Sequence, residues 1–227
     1  MKKLKMPILD VQEIAKDTFE IRLEMLEEFD YKAGQYVSLV IDNDVHDGKG
    51  KMRSFSLSSS PENKEYISTC FRLPDKHSDF KEYLVNAPVG TFVEVSGPRG
   101  IFILPEDSKR SIVMIAGGVG ITPFIGMIRD STMRKTGHRI TLLYTDKSEE
   151  RMPYFDELVK LENKNKKFDF IHRLERVDKD FIEKHVDIKG PIFYICGTSE
   201  LVDGIKALLK KMSVAKEDIK FENFTGY

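Results

Sequence analysis

The apolar pattern of the chain changes character near residue 106, and this change constrains the fold more than any other feature. Before it, apolar and polar residues alternate in short segments such as residues 19–25, and such alternation predicts half-buried strands. After it, segments at helical spacing alternate with nearly continuous apolar runs, the first over residues 111–116. Runs of that kind are typical of strands buried on both faces of a parallel sheet. The sequence therefore predicts two domains, residues 1–106 and residues 107–227.

The first domain is predicted to be an antiparallel Greek-key β-barrel, because many short strands follow one another between turn-rich stretches. The basic opening segment contains acidic residues and lacks the apolar stretch of a signal peptide, so it is predicted to be the first strand. One helix is predicted over residues 78–86, where apolar residues recur at helical spacing behind Ser78, a residue that can cap the helix. Further strands are expected at residues 19–25, 37–41, 54–58, 65–72 and 91–95.

The second domain is predicted to be a doubly wound α/β domain with a parallel sheet. Apolar strands and helical segments alternate along it, and this alternation is the pattern of such domains. Strands are expected at residues 111–116, 139–145, 168–173, 192–196 and 219–222, with helices after the first strand and at residues 154–163, 179–185 and 199–212.

Charge and composition narrow the class of function. Lys and Arg number 36 against 37 Asp and Glu, so no overall charge attracts nucleic acid or an anionic membrane surface. No uncharged apolar run approaches the ~20 residues that span a bilayer, and a cytoplasmic protein is expected. Two cysteines cannot supply the four thiolates of a ferredoxin-type iron–sulfur cluster, and no metal site is expected. A chain of this composition that moves electrons needs an organic cofactor.

A glycine-rich segment follows the first apolar strand of the second domain. Gly117, Gly118 and Gly120 let the backbone turn sharply and approach an anion, and the start of a helix near Pro123 favours a phosphate. The spacing Gly-Gly-x-Gly-x-Thr-Pro departs from the Gly-x-Gly-x-x-Gly dinucleotide fingerprint and is not interpreted as that fingerprint. A turn with packing value alone is the alternative interpretation.

A second apolar strand ends at Cys196 and Gly197. Ligands of open α/β sheets collect at the carboxyl ends of the strands, so this segment and the glycine-rich segment both point to one crevice. Taken alone, Cys196 is more often a small core residue than a functional thiol.

One strand of the first domain combines a cation, two hydroxyls and an aromatic ring. Arginine binds phosphate through two parallel hydrogen bonds, and an aromatic side chain can cover an apolar ring system. With a period of two, Arg53 and Phe55 face one side of the strand and Ser54 and Ser56 face the other. By itself this pattern is a weak signal, since serine-rich strands and surface arginines are common.

Five segments occur in the order seen in the ferredoxin:NADP reductase superfamily, and the resemblance covers essentially the whole chain. It implies a flavoprotein in which NADH or NADPH passes hydride to bound FAD, with FMN less favoured, before the electrons go to another acceptor. The segments are Arg-Ser-Phe-Ser at residues 53–56, Gly-Pro-Arg-Gly-Ile-Phe at 97–102, Gly-Gly-Val-Gly-Ile-Thr-Pro at 117–123, Cys-Gly at 196–197 and Phe-Glu-Asn-Phe at 221–224.

The resemblance also implies roles for residues of the flavin bed. Arg53 would meet the pyrophosphate, Phe55 would lie against the isoalloxazine and Ser56 would sit near the flavin N5 edge. Phenylalanine stands here where the family usually has tyrosine, so a phenolic hydrogen bond to the ribityl chain would be missing. The other implied flavin contacts are Ser54, the backbone of Thr69, Cys70 and Phe71, and the helix start from Ser78 to Lys81.

On the nicotinamide side, the resemblance implies that Thr122 and Cys196 lie near the reacting ring and that Glu222 lies at the same edge as a polar or proton-relaying group. Phe224 is preferred over Tyr227 as the aromatic residue that shields the flavin. The expected catalytic residues are therefore Ser56, Thr122, Cys196, Glu222 and Phe224.

The choice of nucleotide is expected just after the second strand of this domain. Asp146 favours a free ribose 2′-hydroxyl, whereas Lys147 and Ser148 can receive a 2′-phosphate. The balance leans slightly to NADH.

The electron acceptor stays open between ferredoxin, flavodoxin and a small molecule. A basic surface of Lys49, Lys51, Arg72 and Arg99 can dock an acidic carrier, although scattered basic residues are usually solvated. Other interpretations are an electron-transfer subunit of a larger complex, a reductase of free flavin or ferric complexes, and a flavin- or nucleotide-binding sensor without turnover. The oligomeric state is open.

Overall fold

A computed structural model describes residues 2–43, 45–46, 48–73 and 78–224, which form two sheets. The first is antiparallel, with the strand order β4-β3-β6-β1-β2-β5. Its two edge strands meet at one point, the bridge between Leu57 and Thr69, and the sheet thereby curls into a barrel that stays open along the rest of β4 and β5. Its elements are β1 (Lys2–Ala15), β2 (Thr18–Glu24), β3 (Tyr36–Val40), β4 (Met52–Ser56), β5 (Tyr66–Arg72), α1 (Asp79–Asn86) and β6 (Phe92–Arg99).

The antiparallel barrel and its inserted helix are confirmed. Helix α1 forms because Phe80 and Leu84 lie on one face, and both side chains are completely buried in the barrel core. The expectation that Ser78 caps α1 was wrong in its detail, because Ser78 occupies the N-cap position but its hydroxyl makes no capping hydrogen bond.

The second sheet is parallel, with the strand order β11-β10-β7-β8-β9. The doubly wound α/β fold is confirmed, since alternate residues of the central strand β7 enter different cores: Met114 packs towards α2 and α3, and Ile115 packs towards α4 and α5. The elements are β7 (Ile112–Gly117), α2 (Thr122–Arg134), β8 (Ile140–Thr145), α3 (Phe155–Lys164), β9 (Phe168–Arg173), α4 (Lys179–His185), β10 (Ile192–Gly197), α5 (Ser199–Lys211) and β11 (Ile219–Asn223).

Helix α2 packs directly on the barrel. A Cβ atom on Gly126 would lie 2.9 Å from the carbonyl oxygen of Leu57, so only glycine allows this close approach. Ala33, Cys70 and Phe102 of the barrel segment join the core that α2 builds with the sheet. This contact leaves a crevice between the open edge of the barrel and the carboxyl ends of β7, β8 and β10.

A buried carboxylate strengthens the same contact. Glu20 on β2 is 3% exposed. It accepts hydrogen bonds from Arg22 at 2.9 Å and from the hydroxyl of Tyr154 at 3.0 Å. Arg129 of α2 lies 3.5 Å from the same carboxylate and donates to the carbonyl oxygen of Ser58 at 2.8 Å. Side chains 134 positions apart are thereby tied together.

Across the described ranges, no helix is both long and apolar enough to cross a membrane.

Candidate active site between the barrel and the parallel sheet

A cavity of about 440 Å³ lies where the two sheets meet, and its volume falls in the ordinary range of small-molecule sites. The barrel contributes the β1–β2 turn and the end of β5, and the parallel sheet contributes the carboxyl ends of its central strands. The lining residues are Asp17, Arg72, Leu73, Gly117, Gly118, Val119, Gly120, Thr145, Asp146, Lys147, Arg151, Gly197, Thr198, Leu201 and Phe224.

The glycine-rich segment forms the floor of this cavity. A 3₁₀ turn, Gly118–Ile121, leads from β7 into α2, whose first turn contains Pro123 as predicted. Gly118 has φ of +54°, a left-handed backbone that favours glycine, and its carbonyl oxygen accepts a hydrogen bond from the hydroxyl of Tyr144 at 2.9 Å. A Cβ atom on Gly120 would lie 2.2 Å from the carbonyl oxygen of Cys196. The two glycine-bearing segments are therefore in direct backbone contact at one crevice.

Two expected catalytic residues meet across the gap between the barrel and the parallel sheet. The hydroxyl of Ser56, at the end of β4, donates to Oε2 of Glu222 on β11 at 3.1 Å. Ser56 is buried and Glu222 is half-buried, and burial raises the pKa of the Glu222 carboxyl. A carboxyl with a raised pKa beside a hydroxyl can hold or pass a proton at a higher pH than an ordinary carboxyl.

This raised pKa predicts a pH dependence of stability. Because the folded state favours the protonated carboxyl, stability is lost as the pH rises from the ordinary range near 4.5 through the raised pKa of the folded state. Glu222→Gln cannot ionise, so we expect it to have a higher Tm than the wild type at pH 8 and no such advantage at pH 4. Thermal unfolding followed by circular dichroism at half-unit pH intervals measures the difference. Parallel Tm curves for the two proteins would show that Glu222 ionises as freely in the folded chain as in the unfolded one.

Two other expected catalytic residues are less accessible than the sequence suggested. Thr122 is completely buried, and its hydroxyl donates to the carbonyl oxygen of Val119 at 2.6 Å. Cys196 is also completely buried beside Ala116 and Glu222, and burial raises the pKa of its thiol well above the usual range. Neither residue is among those that line this cavity, because both side chains are completely buried.

The two aromatic candidates for the flavin shield differ in position. Phe224 lines the cavity, and its backbone N–H donates to the carbonyl oxygen of Gly197 at 2.9 Å. Tyr227 lies outside the described residues.

The expected flavin bed follows the open edges of β4 and β5. Arg53 and Phe55 face one side, as predicted: the guanidinium lies 5.1 Å from the centre of the Phe80 ring, and Phe55 packs 5.6 Å from Phe71. Nη1 of Arg53 donates to the backbone carbonyls of residues 49, 50 and 52 at 2.7 to 2.8 Å. Ser54 shares a hydrogen bond of 3.2 Å with Ser38 on the opposite side.

The β5 side of the bed presents its backbone rather than its side chains. Thr69 donates through its hydroxyl to the carbonyl oxygen of Ser56 at 2.8 Å. Cys70 is buried, which raises the pKa of its thiol to about 12, and Phe71 is completely buried in the barrel core. A ligand at this edge would therefore meet the main chain of β5.

Positively charged side chains lie close together at the end of the expected flavin bed next to α1. Lys81 is buried on α1, and its ammonium donates to the carbonyl oxygen of Arg72 at 2.9 Å. Burial lowers the pKa of Lys81 to about 8, with the charges of Lys49 and Arg53 acting in the same direction. Like charges at such close quarters favour a polyanion, so the residues present fit the diphosphate of a flavin dinucleotide.

The structure corrects the proposed basic docking surface. Arg72 is not a surface residue: its side chain is 17% exposed and lies in the crevice, paired with Asp146 at 2.9 Å. Arg99 is half-buried and donates to Ser38 at 3.0 Å. Of the four residues, Lys49 and Lys51 are exposed.

Sequence reasoning missed Glu20 as well as the roles of Asp17 and Arg151 in the crevice wall. Each occupies an ordinary polar position in the local pattern, and each acquires its role from partners far away in the chain. No local signal identifies them.

Comparison with known proteins gives two family matches that together cover most of the chain. Residues 5–103 match the oxidoreductase FAD-binding domain, and residues 114–207 match the oxidoreductase NAD-binding domain.

Among curated proteins, Flavohemoprotein A of Dictyostelium discoideum is 28% identical in an alignment of 208 positions that covers 86% of this chain and 52% of that protein. The reductase component of propane 2-monooxygenase from Mycolicibacterium goodii is 26% identical over 96% of this chain and 67% of its own length. The chain thus spans between about half and two thirds of the length of these relatives.

Among solved structures, Amycolatopsis cytochrome P450 reductase GcoB superposes with a TM-score of 0.86 and 25% identity, covering 99% of this chain and 70% of that one. The flavohem-like FAD/NAD binding domain of nitric oxide dioxygenase from Vibrio cholerae superposes with a TM-score of 0.83 and 23% identity, over 97% of this chain and 98% of that one. The second likeness covers nearly all of both chains and shows the shared fold.

Proposed function

The chain belongs to the ferredoxin:NADP reductase superfamily, and we propose that it is an NAD(P)H-dependent flavoprotein reductase. In this proposal residues 1–106 bind FAD, and residues 107–227 bind the nicotinamide nucleotide. The observation that carries the proposal is the contact between Ser56 and Glu222 at 3.1 Å. It supports the proposal because the end of β4, where we expect the flavin, meets β11 of the sheet that carries the glycine-rich turn.

Bound FAD supplies the ability to accept a hydride and to release single electrons, which no side chain provides. The task of the protein is orientation, since two rings held at reacting distance avoid most of the entropic cost of a bimolecular step. Arg53 and Lys81 hold the flavin diphosphate, and Phe55 packs against the ring system. Ser56 and Glu222 hold a proton at the edge of the bed.

The nucleotide occupies the cavity above Gly117, Gly118 and Gly120. Phe224 covers the bed at the cavity wall until the nicotinamide takes its place. Asp146 favours the free ribose hydroxyl of NADH, because a carboxylate repels the 2′-phosphate of NADPH.

The acceptor is a protein-borne redox centre. Support comes from the relatives named as reductase components of propane 2-monooxygenase and of an aromatic O-demethylase. The two exposed lysines at residues 49 and 51 would meet an acidic carrier such as ferredoxin or flavodoxin, and such a contact changes the association rate more than the affinity.

An anaerobic titration tests the function. The purified full chain, supplied with FAD, is expected to show a flavin absorbance spectrum that bleaches on addition of one equivalent of NADH, and more slowly with NADPH. A chain that binds flavin but is not bleached by either nucleotide would be a binding module and not a reductase. A chain that takes up neither FAD nor FMN would contradict the proposal entirely.

The flavin bed is tested by Arg53→Gln. Loss of a bidentate contact to phosphate is expected to weaken FAD binding about tenfold or more, because a charged hydrogen bond contributes roughly 1.5–3 kcal/mol. Lys51→Gln removes a neighbouring exposed charge and is the matched control, with an expected change below about twofold. Fluorescence quenching of added FAD measures the dissociation constant of each variant for FAD. Equal losses in the two variants would assign the effect to general charge and not to Arg53.

A further inference from the structure

Four charged side chains of alternating sign link the barrel to the parallel sheet across the crevice. Nη2 of Arg72 on β5 donates to Oδ2 of Asp146 at 2.9 Å. Nε of Arg151 lies 3.9 Å from Oδ1 of the same carboxylate, and Nη1 of Arg151 donates to Asp17 at 3.4 Å. All four line the cavity that the glycine-rich turn also lines.

The guanidinium of Arg72 lies between the Asp146 carboxylate and the position over Gly118 where a diphosphate is expected. Its Nη1 atom is 3.3 Å from the place that a Cβ would occupy on Gly118, so the cation lies directly over the turn expected to receive a diphosphate. Its Nη2 atom meanwhile holds Asp146, whose carboxylate is 5% exposed, and also donates to the carbonyl oxygen of Arg151 at 2.6 Å. Its Nε atom donates to the hydroxyl of Thr18 at 3.0 Å, so this end of the guanidinium stays anchored while the two Nη atoms exchange partners. A guanidinium binds carboxylate and phosphate oxygens with the same fork of donors. A diphosphate on the turn would therefore compete with Asp146 for Arg72.

Arg151 offers Asp146 a further partner, besides Arg72 and the backbone N–H of Lys147, which donates to Oδ1 at 2.7 Å. Among the residues that the structure describes, Nε of Arg151 is buried and has no hydrogen-bond partner, and such an orphaned donor is costly. A movement of the Asp146 carboxylate by about 1 Å would bring Oδ1 into hydrogen-bond range of that atom. The crevice thus already contains the acceptor position and the donor that an exchange requires.

We propose that Arg72 is an exchangeable latch. In the arrangement described above, its guanidinium holds Asp146. When a pyridine dinucleotide binds, the guanidinium moves to the diphosphate oxygens, and Asp146 turns to Arg151 and accepts a ribose hydroxyl. The exchange is one of hydrogen bonds alone, and it rests on the proposed function in that the crevice must receive a dinucleotide.

The latch predicts opposite effects of two substitutions on two halves of the ligand. Inorganic pyrophosphate and adenosine serve as separate probes of the FAD-loaded full chain, with binding measured by titration calorimetry. Arg72→Gln is expected to weaken pyrophosphate binding about tenfold or more and to leave adenosine binding unchanged or tighter, since Asp146 is released. Asp146→Asn is expected to strengthen pyrophosphate binding several-fold and to weaken adenosine binding.

Arg110→Gln is the control, because it breaks a comparable ion pair, Arg110 with Asp218 at 2.7 Å, at the opposite end of the sheet. It is expected to change neither probe by more than about twofold. Arg72→Lys keeps the charge and replaces Arg72→Gln if that variant does not fold.

Several results would overturn the latch. They are an unaltered affinity of both variants for pyrophosphate, a weakening of both probes by both variants, or the absence of pyrophosphate binding to the wild type. The proposed function fails separately, when the FAD-loaded wild type is not reduced by NADH or NADPH. A wild type that is reduced, with variants that bind pyrophosphate equally, refutes the latch alone.

Discussion

Gly120→Ala is expected to destabilise the protein by roughly 3 kcal/mol or more and to abolish nucleotide binding. The new Cβ would lie 2.2 Å from the carbonyl oxygen and 2.6 Å from the carbonyl carbon of Cys196. Both atoms belong to the backbone of β10, so no side-chain rotation relieves the clash. Either the turn or the strand must move, and each forms part of the crevice wall.

Two other glycines provide a graded comparison. A Cβ on Gly117 would meet Cδ1 of Leu201 at 2.3 Å, the end of a flexible side chain that can rotate away, so a smaller loss is expected. Gly204 lies within α5 and a Cβ there would have no neighbour within 4 Å, so Gly204→Ala is expected to be neutral or to stabilise by about 0.5–1 kcal/mol. Urea unfolding of the three variants measures the series. A Gly120→Ala protein as stable as the Gly204→Ala protein would contradict the close contact between the turn and β10.

Glu20→Gln is expected to destabilise the protein by about 3 kcal/mol, because removal of one charge from a buried ionic cluster leaves the others uncompensated. Arg22 at 2.9 Å loses its near partner, and Arg129 retains Glu157 at 2.7 Å but loses the carboxylate 3.5 Å away. The barrel and α2 are joined through this cluster, so the crevice is expected to loosen as well.

Glu24→Gln is the matched control, since Glu24 is exposed at the end of the same strand and its replacement is expected to cost less than about 0.5 kcal/mol. Urea unfolding measures the stability of both variants, and FAD affinity reports the state of the crevice. If the two substitutions shift the unfolding midpoint equally, Glu20 does not hold the barrel to the helix.

The local elements of this fold were largely predictable because burial has a local period. The alternation at residues 19–25 corresponds to β2 (Thr18–Glu24), and the apolar run at residues 111–116 corresponds to β7 (Ile112–Gly117). Each boundary differs by one residue. The reason is that a strand or helix must present one apolar face to a core, so apolar residues recur along the sequence with the period of that element.

Long-range partners were not predictable in the same way. Glu20 alternates with apolar neighbours and looks like a residue on the solvent face of its strand, yet α2 and the segment before α3 cover that face. Arg72 looks like a solvated cation for the same reason. Which surface covers a polar residue depends on the packing of distant elements, and one sequence carries no local trace of that packing.

The candidate site was likewise predictable in part: some of its features follow from local sequence, and others depend on contacts between distant residues. The glycine-rich turn and the strand end at Cys196 were placed at one crevice because the carboxyl ends of parallel strands meet at one edge. The family resemblance implied that Ser56 and Glu222 both lie near the reacting edge of the flavin, but their direct hydrogen bond across 166 positions needed the structure. The burial of Thr122 and the pairing of Asp146 with Arg72 needed the structure, because side-chain direction at a turn and contacts between domains are not periodic.

We expect a flavin bed on the barrel and a nucleotide bed on the parallel sheet to open into one crevice. A crystal structure of the full chain grown with FAD and NAD⁺ tests it most directly. We expect FAD along the edges of β4 and β5, with its diphosphate near Arg53 and Lys81, and NAD⁺ over Gly118 with its ribose beside Asp146. FAD bound away from β4 and β5, or NAD⁺ bound away from the glycine-rich turn, would contradict it.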